Sequence, residues 1–209
     1  MKLVCGVGIN DADYVVKPVV NGKREYCPIY SKWFQMLQRC HTEYGKKKNP
    51  TYSDDFVCDD WLRFSSYRNW CLSNGGDNKS LHLDKDILFR GNKLYSPKTC
   101  VFVPRFINNI VLCKMRSKGE YPIGVHFEKD SGKFKSQANV DGKYKNLGRY
   151  STAKEAHKIW QEQKILNIEN SIKEYSKMDC FNTYVADSLM QRVWELRLNL
   201  AEGKETVFI

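Results

Sequence analysis

The feature that most constrains this chain is the stretch 133–150. It reads Lys-Phe-Lys-Ser-Gln-Ala-Asn-Val, then Asp-Gly, then Lys-Tyr-Lys-Asn-Leu-Gly-Arg-Tyr. Alternation with a period of two belongs to a strand with one packed and one wet face. Phe134, Ala138 and Val140 can then face a core while Lys133, Lys135, Gln137 and Asn139 face outward. Asp141-Gly142 between two such runs is a hairpin signal, because the tight turn needs positive φ at both central residues. The pattern predicts strands within Ile123–Val140 and Lys143–Tyr150, then a helix. Ser151 with Lys154 and Glu155 starts that helix, and Ala153, Ala156, Ile159 and Trp160 form its apolar side.

Charge says what such a sheet can meet. Lys and Arg number 34 against 24 Asp and Glu, a net +10 over 209 residues. Residues 1–113 carry 17 basic and 11 acidic groups, 114–164 carry 12 and 6, and 165–209 carry 5 and 7. The densest positive charge therefore coincides with the sheet, which favours a polyanionic partner, nucleic acid first. No apolar stretch approaches the roughly 20 residues needed to span a bilayer, so no membrane partner is expected. The start, MKLVCGVGINDADY, lacks the apolar core of a secretory signal, and an intracellular location is expected. The eight cysteines are then expected as reduced thiols or metal ligands. No Cys-x-x-Cys occurs, so a zinc ribbon is unsupported.

Upstream, Asn21-Gly22 between VVKPVV and REYCPIY predicts a second hairpin. Trp33, Met36, Leu37 and Cys40 fall at helical spacing after a Ser31 cap, and a second helix is expected over Asp59 to Leu72. Trp33, Trp61, Phe64 and Trp70 read as core. The intervening GKKKNPTYSDD reads as a loop, either simply solvated or contacting phosphate. Asn74-Gly75-Gly76-Asp77-Asn78 breaks the chain before a short strand, Ser80 to about Asp86. VFVPRFINNIVL begins extended and turns helical from Asn108 to Leu112. CKMRSKGEYP reads as a linker at 113–122. Residues 165–209 continue as helix, with an apolar stripe at Val185, Leu189, Val193, Leu196 and Leu200, ended by Gly203.

Residues 121–163 resemble the APETALA-two (ethylene-response-factor) DNA-binding domain, also found in phage homing endonucleases. The resemblance rests on Gly124-Val125, Gly132-Lys133-Phe134, Leu147-Gly148-Arg149-Tyr150, Ser151-Thr152 and Glu155-Ala156. It implies a sheet that reads double-stranded DNA, with His126, Lys133, Lys135, Gln137, Asn139, Tyr144 and Asn146 at the reading positions. Lysine neutralises phosphate, and Gln or Asn can pair with an adenine edge. Plant members carry Arg and Trp at several of these places, so their target sequence does not transfer.

A carboxylate at a strand end followed, about two dozen residues on, by an amide on a helix is the layout of a ββα-metal nuclease. Asp84 and Asn108 would hold one divalent ion, and hard oxygen ligands suit Mg²⁺ or Mn²⁺. Residues 26–112 are similar to phage HNH endonucleases. The similarity is carried by Tyr30, Trp33, Met36, Arg39 and Cys40 in one helix, then by Cys58, Trp61 and Phe64. Leu83-Asp84-Lys85-Asp86 and Tyr95, Pro97 and Cys100 complete it. The family places a general-base histidine directly after the metal aspartate. Here Lys85 stands there, and a protonated lysine is a poor base. His82, on the Asp84 side of the strand by period-two counting, can substitute or can be an ordinary surface histidine. Asn92 can supply the motif's middle amide or simply serve its turn. Cys40, Cys58 and Cys100 sit in the three family-like motifs. They can hold a structural Zn²⁺, with Cys27 or His41 as a fourth ligand, or be buried thiols.

The expectation is therefore an α+β chain. A ββα-metal-like nuclease region over 1–113 precedes a three-stranded antiparallel sheet plus helix over 114–168 and a helical extension over 169–209. The expected function is sequence-specific double-stranded DNA binding with Mg²⁺- or Mn²⁺-dependent endonuclease or nickase activity. The alternative is an inactive, DNA-binding regulator. A monomer is expected, acting in the bacterial cytoplasm as a phage-encoded protein.

Overall fold

The structure, a computed structural model, describes residues 3–111, 120–140 and 142–207. The fold is mixed α+β, with small sheets and six α-helices among the described residues. The chain divides into two compact units, Met1–Arg105 and Phe106–Ile209. The linker expected at 113–122 and Asp141 of the second hairpin fall wholly or largely outside the described residues.

The first unit opens with the Asn-Gly hairpin, β1 (Val19–Val20) against β2 (Lys23–Arg24). Asn21 and Gly22 have φ of 50° and 73°, the left-handed pair that a two-residue turn demands. Helix α1 (Pro28–His41) follows, with proline in its first turn, where the missing N–H costs nothing. The GKKKNPTYSDD segment is not a plain loop. Lys46, Lys47 and Lys48 end a short helix, α2 (Glu43–Lys48), capped by the Thr42 hydroxyl accepting from Gly45 N at 3.0 Å. Cationic side chains there complement the negative helix C-terminus.

The second aromatic helix also begins later than its periodicity suggested. Residues Asp59–Leu62 form a 3-10 turn, and α3 (Phe64–Ser73) starts only beyond Arg63. Asp11 explains the break: its carboxylate accepts from Ser65 N at 2.8 Å and Ser65 Oγ at 2.7 Å, capping α3 from a distant loop. Trp33, Trp61, Phe64 and Tyr67 are fully buried between α1 and α3. Trp33 donates Nε1–H to the Trp61 carbonyl at 2.6 Å, satisfying the indole inside the core.

Two strand pairs complete the unit. β3 (Phe56–Val57) runs parallel to β5 (Leu94–Tyr95), and β4 (Leu81–Asp84) runs antiparallel to β6 (Val101–Pro104). β6 leads directly into α4 (Arg105–Val111), so β4, β5 and β6 precede that helix along the chain.

The second unit is built on the antiparallel sheet β7 (Val125–Glu128), β8 (Lys133–Val140) and β9 (Lys143–Tyr150), in that order. Helix α5 (Ala153–Tyr175) packs on it, and α6 (Thr183–Ala201) packs on α5. The N-cap is Thr152 rather than Ser151. Thr152 and Glu155 form a reciprocal capping box, each side chain accepting from the other's backbone N–H at 3.1 Å. Gly124 has φ +81°, and a Cβ there would lie 2.1 Å from the Trp160 ring, so glycine lets β7 enter flat against the helix. The expected boundary at 168/169 falls inside α5, and the helical expectation over 165–209 is interrupted between Tyr175 and Thr183. Val185, Leu189, Val193 and Leu196 are buried as the stripe predicted.

A buried polar chain fastens the end of this unit. His157 Nδ1 lies 2.9 Å from the Ile123 carbonyl, and its Nε2 accepts from Thr206 N at 2.9 Å. Gln161 Nε2 donates to the Lys204 carbonyl at 3.0 Å and to Thr206 Oγ1 at 2.9 Å. A ring that accepts at Nε2 and faces a carbonyl at Nδ1 is a neutral imidazole protonated on Nδ1. Burial depresses its pKa accordingly.

Candidate functional site

The sheet's two faces differ in kind. Ser136 and Ala138 of β8 are buried under α5, as is Val125 of β7. Directly opposed residues share a face, so the register assigns the other one. His126 opposes Lys135, and Lys135 opposes Arg149. Glu128 opposes Lys133, Gln137 opposes Asn146, and Asn139 opposes Tyr144. All seven expected reading residues thus lie on the face away from α5. His126, Lys133, Asn139, Tyr144 and Asn146 are exposed, while Lys135 and Gln137 are half-buried.

One residue of this face escapes simple alternation. The ladder shifts between Ser136 and Gln137, so Leu147 is an extra residue on β9 and Arg149 joins Tyr144 and Asn146 on the outer side. Glu128 grips Arg149, with Arg149 Nε donating to Oε2 at 2.5 Å and Nη2 donating to Oε1 at 3.2 Å. Lys135 Nζ stands 3.6 Å from the same carboxylate. The hydrogen bond from Arg149 holds the Glu128 carboxyl below the usual range. One carboxylate thus meets two cationic side chains and orients both.

In the first unit, Asp84 ends β4 half-buried. Its Oδ1 accepts from Asp86 N at 2.8 Å and Ile87 N at 2.7 Å, which folds the chain into the following turn. Oδ2 has no hydrogen-bond donor among the described residues. Burial pushes the Asp84 carboxyl up, against the lowering effect of those two amides. A hard oxygen, half withdrawn from water and unshared with a donor, fits one ligand position of a magnesium-type ion. Among the described residues no three His, Cys, Asp or Glu side chains gather into a metal-holding group.

Lys85 turns inward. Its ammonium meets Asp55 Oδ2 at 3.1 Å and Asp86 Oδ2 at 2.8 Å, and donates to the Asn92 carbonyl at 2.6 Å. Burial works to lower its pKa, but Asp86 and Asp55 outweigh burial and raise it. An ammonium so held does not accept a proton. Asn92 locks the turn from the other side, donating Nδ2–H to the Lys85 and Leu94 carbonyls at 2.9 and 2.7 Å. These are the bonds that turn chemistry alone would require of it. His82 is exposed, two residues before Asp84 on β4. Asn108 lies half-buried on α4, within the second unit.

Cys40 and Cys100 are buried and Cys58 is half-buried. Burial pushes the Cys40 thiol up to about 11 and the Cys100 thiol up to about 12, and raises Cys58. Zinc takes thiolates, and these environments favour thiols. Asp55, the buried counter-charge of Lys85, carried no signal in the sequence, because nothing local marks an aspartate whose partner is 30 positions away.

Comparison with family models, with curated proteins and with solved structures finds no match for this chain.

Proposed function

We propose that the chain is a sequence-specific double-stranded DNA-binding protein of the phage HNH homing type, with a metal-dependent endonuclease or nickase unit preceding its reading sheet. The observation that carries the reading is the two-faced sheet. One side is closed by α5, and the other presents Lys, Arg, Gln, Asn and Tyr in register. Lys133 and Lys135 meet phosphates, while Gln137, Asn139 and Asn146 meet base edges in the major groove. Arg149, held in a fork by Glu128, approaches the duplex in one orientation.

In the first unit Asp84 would hold a Mg²⁺ or Mn²⁺ ion, which when bound stabilises the oxygen leaving the scissile phosphorus. His82 is exposed and free to take a proton from the attacking water as the phosphorus–oxygen bond breaks. Lys85 has no part in that transfer and braces the turn that presents Asp84.

The same observation about Lys85 favours a second reading, an inactive regulator that retains only DNA binding. Plasmid nicking with Mg²⁺ or Mn²⁺, run beside a duplex gel shift over a salt series, separates the two. For a nuclease, wild type nicks, and Asp84→Ala loses about 100-fold or more, a few kcal/mol of lost charge stabilisation. The same assay on Asn108→Ala tests the helix amide named by the family resemblance. Inert wild type that still shifts duplex identifies the regulator. Absence of salt-dependent duplex binding refutes both.

A further inference from the structure

We propose that the outer face of α6 is a two-fold interface on which a second copy of this chain docks antiparallel. Thr183, Asp187, Met190, Trp194, Arg197 and Ala201 follow one another at alternating steps of four and three residues. That spacing keeps one narrow seam on a helix, the seam along which helices pair. All six are exposed, on the side away from the buried Val185, Leu189, Val193 and Leu196. α5 packs on α6 but leaves this seam uncovered.

The apolar part of the seam is larger than a scatter of surface residues. Trp194 is 64% exposed and Met190 43%, and Tyr184 at 74% and Leu198 at 42% lie in the row beside them. Met190, Trp194 and Leu198 are neighbours at i, i+4 and i+8. No side-chain hydrogen bond or ring contact engages Tyr184 or Trp194 among the described residues. At about 200 Å² for a whole large side chain, these four leave about 450 Å² uncovered per copy. Single exposed residues are ordinary, but an apolar patch of this size marks an interaction site. Two copies hide about 900 Å² through these side chains alone. The polar members of the seam carry the total past the roughly 1,000 Å² of a specific interface.

The order of residues selects a second copy as the occupant. Asp187 and Arg197 stand five positions either side of Arg192, Met190 and Trp194 two, and Thr183 and Ala201 nine. An antiparallel copy therefore sets Asp187 against the partner's Arg197 and Met190 against the partner's Trp194. Each contact occurs twice, as an isologous interface requires. Asp187 has no ion-pair partner among the described residues. Arg197 gives one donor to Glu169 of α5, yet its side chain stays 60% exposed and has further donors to give. A parallel copy would set Asp187 on Asp187, and a membrane surface would have to bury that carboxylate. The monomer expected from the sequence gives way to a dimer because the seam is legible only once α5 is seen to hold the other face.

Sedimentation equilibrium of the full chain from about 1 to about 100 μM is the test. The mass is expected to climb from 24.4 kDa towards twice that value. Trp194→Ala keeps the helical circular dichroism and dimerises about 100-fold or more weakly, because its loss is felt at both copies of the contact. Asp187→Arg and Arg197→Asp each dimerise about tenfold more weakly, and an equal mixture of the two recovers, since every 187–197 contact in the heterodimer again joins opposite charges. Leu166→Ala on α5, 52% exposed and outside the seam, dimerises as wild type. A chain that stays at 24.4 kDa throughout overturns the interface. So does wild-type dimerisation of Trp194→Ala, or an equal loss in Leu166→Ala, which would reveal indiscriminate sticking. A mixture that fails to recover overturns the antiparallel pairing. Where Arg197→Asp loses helix along with its Glu169 contact, Asp187→Glu is compared with Asp187→Arg, and equal dimerisation of those two overturns the pairing. Duplex binding through the sheet is measured separately and stands whichever way the dimer falls.

Discussion

The Asp55–Lys85 pair offers the sharpest energetic test of the first unit. The Asp55 side chain is 0% exposed and that of Lys85 5%. Changing Asp55→Asn keeps volume but strips the ammonium of its buried counter-charge. Breaking such a pair from one side costs about 3–5 kcal/mol, because the remaining charge stays desolvated. Lys85 retains Asp86 at 2.8 Å and the Asn92 carbonyl at 2.6 Å, so the lower end, about 3 kcal/mol, is expected. Lys85→Met should cost a similar amount, since among the described residues Asp55 then keeps only Lys93, at 3.4 Å. The double variant should recover about 2 kcal/mol of the summed losses, as an apolar replacement of a whole buried pair often does. Urea unfolding followed by tryptophan fluorescence reads these numbers, and a constant slope with denaturant confirms that only stability has changed. Single losses below about 1 kcal/mol that simply add would mean that the pair is solvated, and the bracing role of Lys85 would be withdrawn.

Two further outcomes concern the second unit. Burial depresses the His157 pKa, so the native ring is neutral. Its contribution is complete above the unfolded value of about 6.5 and is lost as pH falls through the lower folded value. Thermal melts between about pH 8 and about pH 5 should show falling stability, and His157→Gln should flatten that curve. An unchanged slope would refute the neutral-imidazole bridge. Gly124→Ala places a Cβ against Trp160 at a φ of +81°, and should cost about 3 kcal/mol by combined clash and backbone strain. A melting temperature equal to wild type would show that the close approach is not required.

Local signals in the sequence carried the elements whose physics is local. Asn21-Gly22 needs left-handed φ at two adjacent residues, and so announced its hairpin. The alternation of 133–140 announced which β8 residues face away from α5. Arg149 was not among the positions the family resemblance implies, and the extra residue at Leu147 is what puts it on the same face as Tyr144 and Asn146. The late start of α3 was illegible because its cap, Asp11, lies in another segment. The lysine run at 46–48 was read as loop because polar composition conceals a short helix that its Thr42 cap and favourable end charges sustain. Lys85 was recognisable as a poor base, but its inward turn depends on Asp55, which only tertiary structure brings near.

The strap from His157 and Gln161 to Thr206 has a consequence for how the molecule comes into being. The three strands of the second unit are complete once Tyr150 has been synthesised, and His157 can meet the Ile123 carbonyl soon after, yet the N–H that holds its other ring nitrogen waits for Thr206. At about 5–20 residues per second that interval lasts several seconds on the ribosome. During its first part, until Tyr175 has followed, the nascent sheet has its α5 backing only in part, and its inner face stays open to whatever chaperone or neighbouring chain arrives first.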